Sequence, residues 1–289
     1  MSDDMLSPSS AQAWCAEQRR DNRRIGYVAT MGALHEGHLS LIRQAREEND
    51  VFCVSIFVNP LQFDSGTDFE AYPRDLPGDL KQLRHFGCGM VFSGTLESFF
   101  PENARGDALQ MISAGEFGQG LEGDFRPGHL DGVRTIVKRL FQTVGPCQTY
   151  FGEKDFQQTL VVTELAQQFG YPQVVICPTL REPSGLALSS RNILLDAQQT
   201  IHATGIYAAL VEARLSWREG VRDATELSNI MVERLASEPL FVEYAEVRDP
   251  NRWTRERPTE PLNDARALIA AHIGRVRLID NLCLSRETS

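Results

Sequence analysis

Two histidines lie three residues apart in the segment Thr30-Met31-Gly32-Ala33-Leu34-His35-Glu36-Gly37-His38. The segment follows a short apolar run, Ile25–Thr30, and opens a helical pattern, and the free N–H groups at such a junction favour anions. Residues three apart in a first helical turn point the same way, so His35 and His38 could donate hydrogen bonds to a polyphosphate. The two glycines would let the backbone approach a phosphate closely. The segment therefore predicts nucleotide chemistry.

This segment and a second glycine-rich segment each allow a different interpretation. The histidines could only cap and solvate the helix start, or form a zinc pair, although H-E-x-x-H is absent and no cysteine lies nearby. Residues 118–123 satisfy G-x-G-x-x-G, but residues 124–128, which include Pro127, would break the helix that a dinucleotide fingerprint needs. No P-loop pattern occurs.

Two further loops contain residues suited to phosphate. In Gly152-Glu153-Lys154-Asp155, at a second strand-to-helix junction, the lysine is a mobile point charge. Asp155, with Gln158 three residues later, also matches a helix capping box. Leu188-Ser189-Ser190-Arg191 combines two hydroxyls with a permanent cation, which suits a phosphate clamp. A solvated lysine and an ordinary Ser-Arg-Asn turn are the alternatives, but three such loops together are more specific than one.

Apolar runs alternate with helical patterns over the first 180 residues. The strand-like runs, which suit parallel strands buried on both faces, are Ile25–Thr30, 51–58, 90–93, 149–151 and 173–177. Helical patterns follow the first run, with Leu39, Leu41, Ile42 and Ala45 on one face, and recur at 133–143 and 155–169. This alternation predicts an α/β domain with a parallel sheet and right-handed crossovers.

The pattern changes after about residue 180. Two long helical patterns, 197–219 and 223–236, precede three strand-like runs at 241–247, 267–273 and 275–279. We therefore predict a second, smaller α+β domain whose last two strands form an antiparallel hairpin.

Composition narrows the possible partners. With 39 acidic against 29 basic residues, the net charge of −10 opposes attraction to phosphate backbones, so no nucleic-acid partner is expected. No apolar stretch approaches the roughly 18 residues of a membrane helix, and the first twenty residues lack a signal-peptide core. We expect a cytoplasmic protein with no membrane partner. The six cysteines, without any C-x-x-C, are expected to be buried reduced thiols.

An ordered set of motifs runs over nearly the whole chain. Beyond residues 31–38, 152–158 and 186–192, it comprises Asn59-Pro60 with Gln62-Phe63, Tyr72-Pro73-Arg74, residues 121–123 with Arg126-Pro127-Gly128-His129, and residues 277–281. In these motifs the sequence resembles the pantothenate synthetases, the pantoate–β-alanine ligases of the nucleotidylyl-transferase superfamily. The resemblance implies a Rossmann-like ATP- and acid-binding domain over residues 1–180, a smaller C-terminal lid domain over residues 181–289, and a homodimer. ATP and Mg are the implied cofactors.

The resemblance also implies a chemistry and a set of site residues. In that family ATP and an acid give an acyl adenylate and pyrophosphate, and an amine then attacks the acyl carbon and releases AMP. The implied catalytic residues are His38, His35, Lys154 and Arg191, and Gln62 and Gln158 match the glutamines that hold pantoate. The segments matching the ATP-binding segments are Met31, Gly32, Ala33, Leu34, His35, Glu36, Gly37 and His38; Gly152, Glu153, Lys154 and Asp155; and Leu188, Ser189, Ser190 and Arg191.

Three other functions stay open. A simple nucleotidylyl transferase would not be expected to have Gln62, Gln158 and the full C-terminal domain. A nucleotide-binding regulator without turnover is disfavoured by the intact histidines, Lys154 and Arg191. A related ligase could use a different hydroxy acid, because Ala29 and Leu61 stand where the family pattern has proline and threonine beside the acid pocket. The sequence does not identify metal ligands, although Asp79 is a candidate.

Overall fold

The computed structural model describes residues 5–63, 66–103 and 109–286. The chain divides into two compact units. The first comprises Met1–Gly118, Arg126–Glu153 and Gln157–Pro178, and the second comprises Gln119–Phe125, Lys154–Phe156 and Thr179–Ser289. Two short segments from the earlier part of the sequence therefore belong to the later unit.

The first unit contains a five-stranded parallel sheet. Its strands are β1 (Ile25–Thr30), β2 (Val51–Ile56), β3 (Met90–Phe92), β4 (Gln148–Gly152) and β5 (Gln173–Cys177), in the order β3-β2-β1-β4-β5. Every neighbouring pair is parallel. The order reverses between β1 and β4, and ligands bind beyond the carboxyl ends of strands at such a reversal. The Rossmann-like α/β prediction is confirmed.

Burial differs along this sheet. The central strands β1 and β2 are almost wholly buried, as continuous apolar runs predict. The expectation of burial on both faces is wrong for β5, in which Gln173 and Ile176 are exposed. Within the part of the chain that the structure describes, β5 is an outer strand paired with β4 alone, so fewer residues cover it.

Helices precede or connect the strands of this unit in the sequence. They are α1 (Pro8–Arg20), α2 (Glu36–Glu48), α3 (Gly66–Ala71), α4 (Leu76–His85), α5 (Leu96–Phe99), α7 (His129–Val144) and α8 (Phe156–Phe169), while α6 (Glu122–Phe125) belongs to the second unit's segment 119–125. The predicted apolar face of α2 is confirmed, because Leu39, Leu41, Ile42 and Ala45 are all buried. One turn of helix, α6, also forms where residues 124–128 were expected to prevent any helix, and it ends before Pro127.

The second unit pairs two helices with an antiparallel sheet. The helices are α9 (Ala197–Arg218) and α10 (Ala224–Leu235), and the strands are β6 (Phe241–Arg248), β7 (Arg266–Ile273) and β8 (Val276–Cys283), in the order β6-β7-β8. Their apolar faces form one core. Gly274, with a φ of +56°, lies in the tight turn between β7 and β8, so the predicted hairpin is confirmed.

The structure also shows the state of the six cysteines and the character of the helices. All six cysteines are free thiols, and Cys15, Cys53 and Cys177 are buried, whereas the other three are partly exposed. Across the described ranges, no helix combines the length and apolar character that crossing a membrane requires.

Helix α7 packs directly on the turn that follows β2. A Cβ atom at Gly132 would lie 2.0 Å from the carbonyl oxygen of Leu61, so only glycine fits between the helix and the turn Pro60–Gln62. The Gly132 carbonyl in turn accepts a hydrogen bond from Asn59 Nδ2 at 3.2 Å. The position of this turn is therefore set by α7.

We predict that Gly132→Ala destabilises the protein, because helix and turn must separate and overpacking typically costs about 1–3 kcal/mol. Gly66→Ala at the start of α3 is the control, since a Cβ built there would meet nothing within 4 Å. Urea unfolding should show a lower free energy for the first variant only. Equal stability of the two variants would contradict the close packing of α7 on this turn.

Candidate functional site

The loop after β1 has an unusual backbone conformation. Gly32 and Ala33 have φ values of +81° and +50°, in the left-handed region. Thr30 Oγ1 donates to the Ser55 carbonyl at 2.8 Å and accepts from the Gly32 N–H at 3.3 Å. A Cβ at Gly32 would lie 2.9 Å from Asp79 Oδ2, so a larger residue would be strained and crowded there. The loop is thus held in one shape.

A buried carboxylate on α4 fixes this loop. The N–H groups of Ala33 and Leu34 donate to Asp79 Oδ2 and Oδ1, at 2.9 and 2.7 Å. Asp79 is only 2% exposed. Burial raises the pKa of its carboxyl, and the two N–H donors act in the opposite direction. These two loop N–H groups are therefore directed at the Asp79 carboxylate.

The same contacts bear on the metal candidates. Both oxygens of Asp79 accept backbone N–H groups, which gives this acid a structural role in the loop. Within the described residues, no group of three or more His, Cys, Asp or Glu side chains could hold a metal ion.

The two histidines form the N-terminal cap of α2. His35 Nδ1 accepts from the Gly37 N–H at 3.1 Å, and His38 Nδ1 accepts from the His35 N–H at 3.4 Å. Their ring centroids are 4.1 Å apart. A neutral imidazole that accepts at Nδ1 has its proton on Nε2. The sequence presented helix capping and donation to a ligand as alternatives. The two roles are compatible, because capping uses Nδ1 and donation would use Nε2.

Gln62 adjoins the loop after β1. Its Nε2 lies 3.0 Å from Met31 Sδ, and its Oε1 accepts from Asn59 Nδ2 at 3.0 Å. Asn59 is buried. The motif Asn59-Pro60 had not indicated what the asparagine does. The structure therefore brings together Met31 and Gln62, which were predicted to bind different substrates.

The two atypical positions, Ala29 and Leu61, shortly precede Met31 and Gln62 in the sequence. Ala29 stands in the regular ladder of β1, opposite Ser55 in β2. Leu61 is half-buried in the turn Pro60–Gln62, and its N–H donates to Asn59 Oδ1 at 3.2 Å. The family's threonine at position 61 is thus replaced by an apolar side chain one residue from Gln62.

The second predicted loop follows β4, the strand paired with β1. Gly152 ends β4, and a Cβ built on it would meet nothing within 4 Å, so the space there is open. Glu153 follows, and Gln158 lies half-buried on α8. The loops after β1 and β4 therefore leave neighbouring strands at the reversal of strand order, where the fold predicts a ligand.

The remaining predicted residues belong to the second unit. Lys154 Nζ lies 3.6 Å from Asp155 Oδ1, and the Lys154 carbonyl accepts from Asn281 Nδ2 at 2.8 Å. Ser189 Oγ accepts from the Arg191 N–H at 3.2 Å and caps the short helix Ser190–Leu194, which packs against β8. The Ser-Arg-Asn segment thus forms a capped turn. Lys154 and this turn are both adjacent to β8.

An ion pair that the sequence did not suggest fixes β8. Arg181 donates through both terminal nitrogens to the carboxylate of Asp280, with one contact at 2.9 Å, and its guanidinium stacks 4.1 Å from the ring centre of Tyr207. Burial raises the pKa of Asp280, and the Arg181 guanidinium acts against this shift. Asp280 precedes Asn281, so the pair holds the residue that contacts Lys154.

A second ion-pair cluster attaches segment 119–125 to the C-terminal sheet. Arg277 donates to Glu122 Oε1 and Oε2, at 2.7 and 3.0 Å, and to Glu243 Oε2 at 2.7 Å. The Tyr244 hydroxyl donates to Glu122 Oε1 at 2.7 Å. Burial by itself lowers the pKa of Arg277. The carboxylates of Glu122 and Glu243 raise this pKa by more than burial lowers it, so the pKa of Arg277 is shifted upward. The motif at residues 121–123 is therefore structural in this unit.

Comparison with known proteins agrees with this geometry. The family pantoate-β-alanine ligase matches residues 5–283. A pantothenate synthetase of Rubrobacter xylanophilus is 45% identical, over 97% of this chain and 98% of that protein. A pantothenate synthetase of Herpetosiphon aurantiacus is 43% identical, over 92% and 95% of the two chains.

Solved structures give the same result. The pantothenate synthetase of Thermus thermophilus superposes with a TM-score of 0.84 at 39% identity, over 93% of this chain and 97% of that chain. A pantoate-β-alanine ligase of Francisella tularensis, complexed with β-γ ATP and β-alanine, gives 0.76 at 34% identity, over 96% and 97%. The chain therefore belongs to the pantoate-β-alanine ligase family, the pantothenate synthetases.

Proposed function

We propose that this chain is an ATP-dependent ligase that condenses pantoate with β-alanine to pantothenate. The observation that carries the proposal is the contact between the loop after β1 and Gln62, which follows the neighbouring strand β2. It is made in a chain that matches the family from residue 5 to 283. The Francisella relative, complexed with β-γ ATP and β-alanine, supports two of the substrates.

The reaction proceeds in two displacements. A carboxylate oxygen of pantoate attacks the α-phosphorus of ATP, the bond from that phosphorus to the bridging oxygen breaks, and pyrophosphate leaves. The amine of β-alanine then attacks the acyl carbon, the acyl–oxygen bond to AMP breaks, and the amine nitrogen loses a proton to water. No protein nucleophile is needed, so the chain acts by positioning and by neutralising charge.

The residues of the first unit have distinct proposed roles. The Nε2–H groups of His35 and His38 donate to triphosphate oxygens, and charge on the leaving pyrophosphate strengthens these bonds in the transition state. Residues 31–38 and 152–153 contact ATP, while Gln62 and Gln158 hold pantoate. The cap geometry of the two histidines and the Met31–Gln62 contact support these roles.

In the second unit, Lys154 and Arg191 are the proposed cations for the triphosphate, with Asp155 and residues 188–190 beside them. A Mg²⁺ ion bound with ATP would offset charge on the triphosphate, together with Lys154 and Arg191. Mg²⁺ is usually held by one or two carboxylates together with substrate phosphates. Among the described residues, no group of three or more His, Cys, Asp or Glu side chains could hold a metal ion. Magnesium is thus proposed as part of the substrate.

The proposal includes the oligomeric state of the protein and its location in the cell. We propose a homodimer in the cytoplasm, as the family resemblance implies, with residues 1–180 as the ATP- and acid-binding domain. Among the described strands, the outer strand β5 pairs with β4 alone and Ile176 is exposed on it, and such a strand edge can take part in self-association. Light scattering after gel filtration tests the dimer directly.

We predict that the protein exchanges pyrophosphate into ATP only when pantoate is present, and forms AMP only when β-alanine is added as well. Exchange requires a reversible acyl adenylate, and AMP release requires the amine. A panel of hydroxy acids differing by one methyl group should rank pantoate first by kcat/KM. A different preferred acid would show that Ala29 and Leu61 have altered the pocket, and exchange without any acid would contradict the ligase mechanism.

We predict that His38→Asn slows pyrophosphate exchange about a hundredfold to a thousandfold, because the shorter side chain lacks the Nε2–H donor to the developing charge. Asparagine places its amide near the position of Nδ1 and can still accept from the His35 N–H, so the cap of α2 should be preserved. His85→Asn on α4 is the control and should leave exchange unchanged. Exchange by His38→Asn within about threefold of wild type would remove His38 from the reaction.

We predict that Asp79→Asn raises the KM for ATP about tenfold, because asparagine leaves one of the Ala33 and Leu34 N–H groups facing an NH₂ group and loosens the loop. A hydrogen bond to a charged group contributes about 1.5–3 kcal/mol. Asp75→Asn, on the same helix end, is the matched control, since asparagine caps as well as aspartate. An unchanged KM in Asp79→Asn would show that the loop keeps its shape without this anion.

A further inference from the structure

The motif Arg126-Pro127-Gly128-His129 takes no part in the two displacements, yet two of its side chains meet at one backbone atom. The carbonyl oxygen of Gln62 lies 3.0 Å from Arg126 Nη2 and 2.7 Å from His129 Nδ1. Arg126 Nη1 lies 3.1 Å from His129 Nε2. The two residues are only 8% and 9% exposed. A cation and an imidazole are thus buried around the backbone of the proposed pantoate-binding glutamine.

The proton positions in this triangle follow from the chemistry of its members. A guanidinium has donors and no acceptor, so Arg126 Nη1–H donates to His129 Nε2. That nitrogen is therefore the acceptor of a neutral ring, and the ring proton is on Nδ1, which donates to the Gln62 carbonyl. The carbonyl accepts two hydrogen bonds, one of them charge-assisted. We assign the Nδ1–H tautomer to His129 on this basis.

Gln62 is consequently held at both ends. Its carbonyl oxygen is fixed by Arg126 and His129, while its side-chain amide contacts Asn59 and Met31 at 3.0 Å each. A side chain that recognises a substrate must be held within about 0.5 Å of its productive position, and a displacement of about 1 Å can cost a hundredfold in rate.

We propose that Arg126 and His129 are positioning residues that set the affinity for pantoate through the backbone of Gln62. This inference rests on the proposed function in one respect, that Gln62 holds the acid. Neither residue needs to touch pantoate, and neither is required for binding ATP. Their loss should therefore change the kinetics for the acid far more than the kinetics for the nucleotide.

Two near-isosteric variants separate this role from a merely structural one. His129→Asn keeps an amide N–H close to the position of Nδ1, so it can still donate to the Gln62 carbonyl. His129→Gln keeps the polarity and bulk but places its amide near the position of Nε2. We expect His129→Gln to raise the KM for pantoate about tenfold or more, with the KM for ATP within about twofold, and His129→Asn to recover most of the difference.

Arg134→Ala is the matched control. Arg134 is a buried arginine on α7, the helix that begins at His129, but it pairs with Glu164 and Gln168. Its loss should lower the melting temperature without changing the ratio of the two KM values. Arg126→Lys retains the charge but cannot reach both partners with a planar fork, so it should raise the KM for pantoate selectively.

Steady-state kinetics with each substrate varied, alongside thermal unfolding, decide between the outcomes. An unchanged KM for pantoate in His129→Gln overturns the proposal. Equal increases for pantoate and ATP, or the same increase in Arg134→Ala, also overturn it. Gln62→Ala is measured in parallel: if it leaves the KM for pantoate unchanged, the proposed acid site itself is wrong. If Gln62→Ala raises that KM and His129→Gln does not, only the positioning role fails.

Discussion

The architecture of the site in the first unit depends on one buried anion. Asp79 accepts the N–H groups of Ala33 and Leu34 and so fixes a backbone that turns through two left-handed residues. The histidine cap of α2 begins directly after this turn, and Met31, before it, contacts Gln62. Burying a carboxylate is unfavourable unless it is hydrogen-bonded, and here the two N–H donors offset that cost. A rigid loop is the result.

The second unit uses ion pairs for a comparable purpose. Arg181 with Asp280 fixes β8 next to Lys154, and Arg277 with Glu122 attaches segment 119–125 to the sheet. Buried pairs of this kind add little net stability, but losing one partner leaves an uncompensated charge. They therefore specify where the segments lie. This suits a reaction whose catalysis depends on placing charges accurately and not on a protein nucleophile.

The two proposed substrate sites of the first unit share their supports. Asn59 donates both to the side chain of Gln62 and to the carbonyl of Gly132 in α7. The same helix begins at His129, which contacts the Gln62 backbone. Because α7 packs on the turn that contains Gln62, a shift of α7 would displace the proposed acid-binding side chain. Close packing at Gly132 makes such a shift costly.

The sequence by itself determined the elements and the family. Apolar periodicity located β1 and α2, since Leu39, Leu41, Ile42 and Ala45 had to be buried, and the loop residues after β1 and β4 identified the nucleotide chemistry. Only the tertiary structure decided how these residues are held. Leu34 and Asp79 are 45 positions apart, and Gln62 and His129 are 67 apart, so no local pattern relates them. Local patterns record burial and capping, whereas these contacts exist only because packed strands and helices bring distant segments within hydrogen-bond distance.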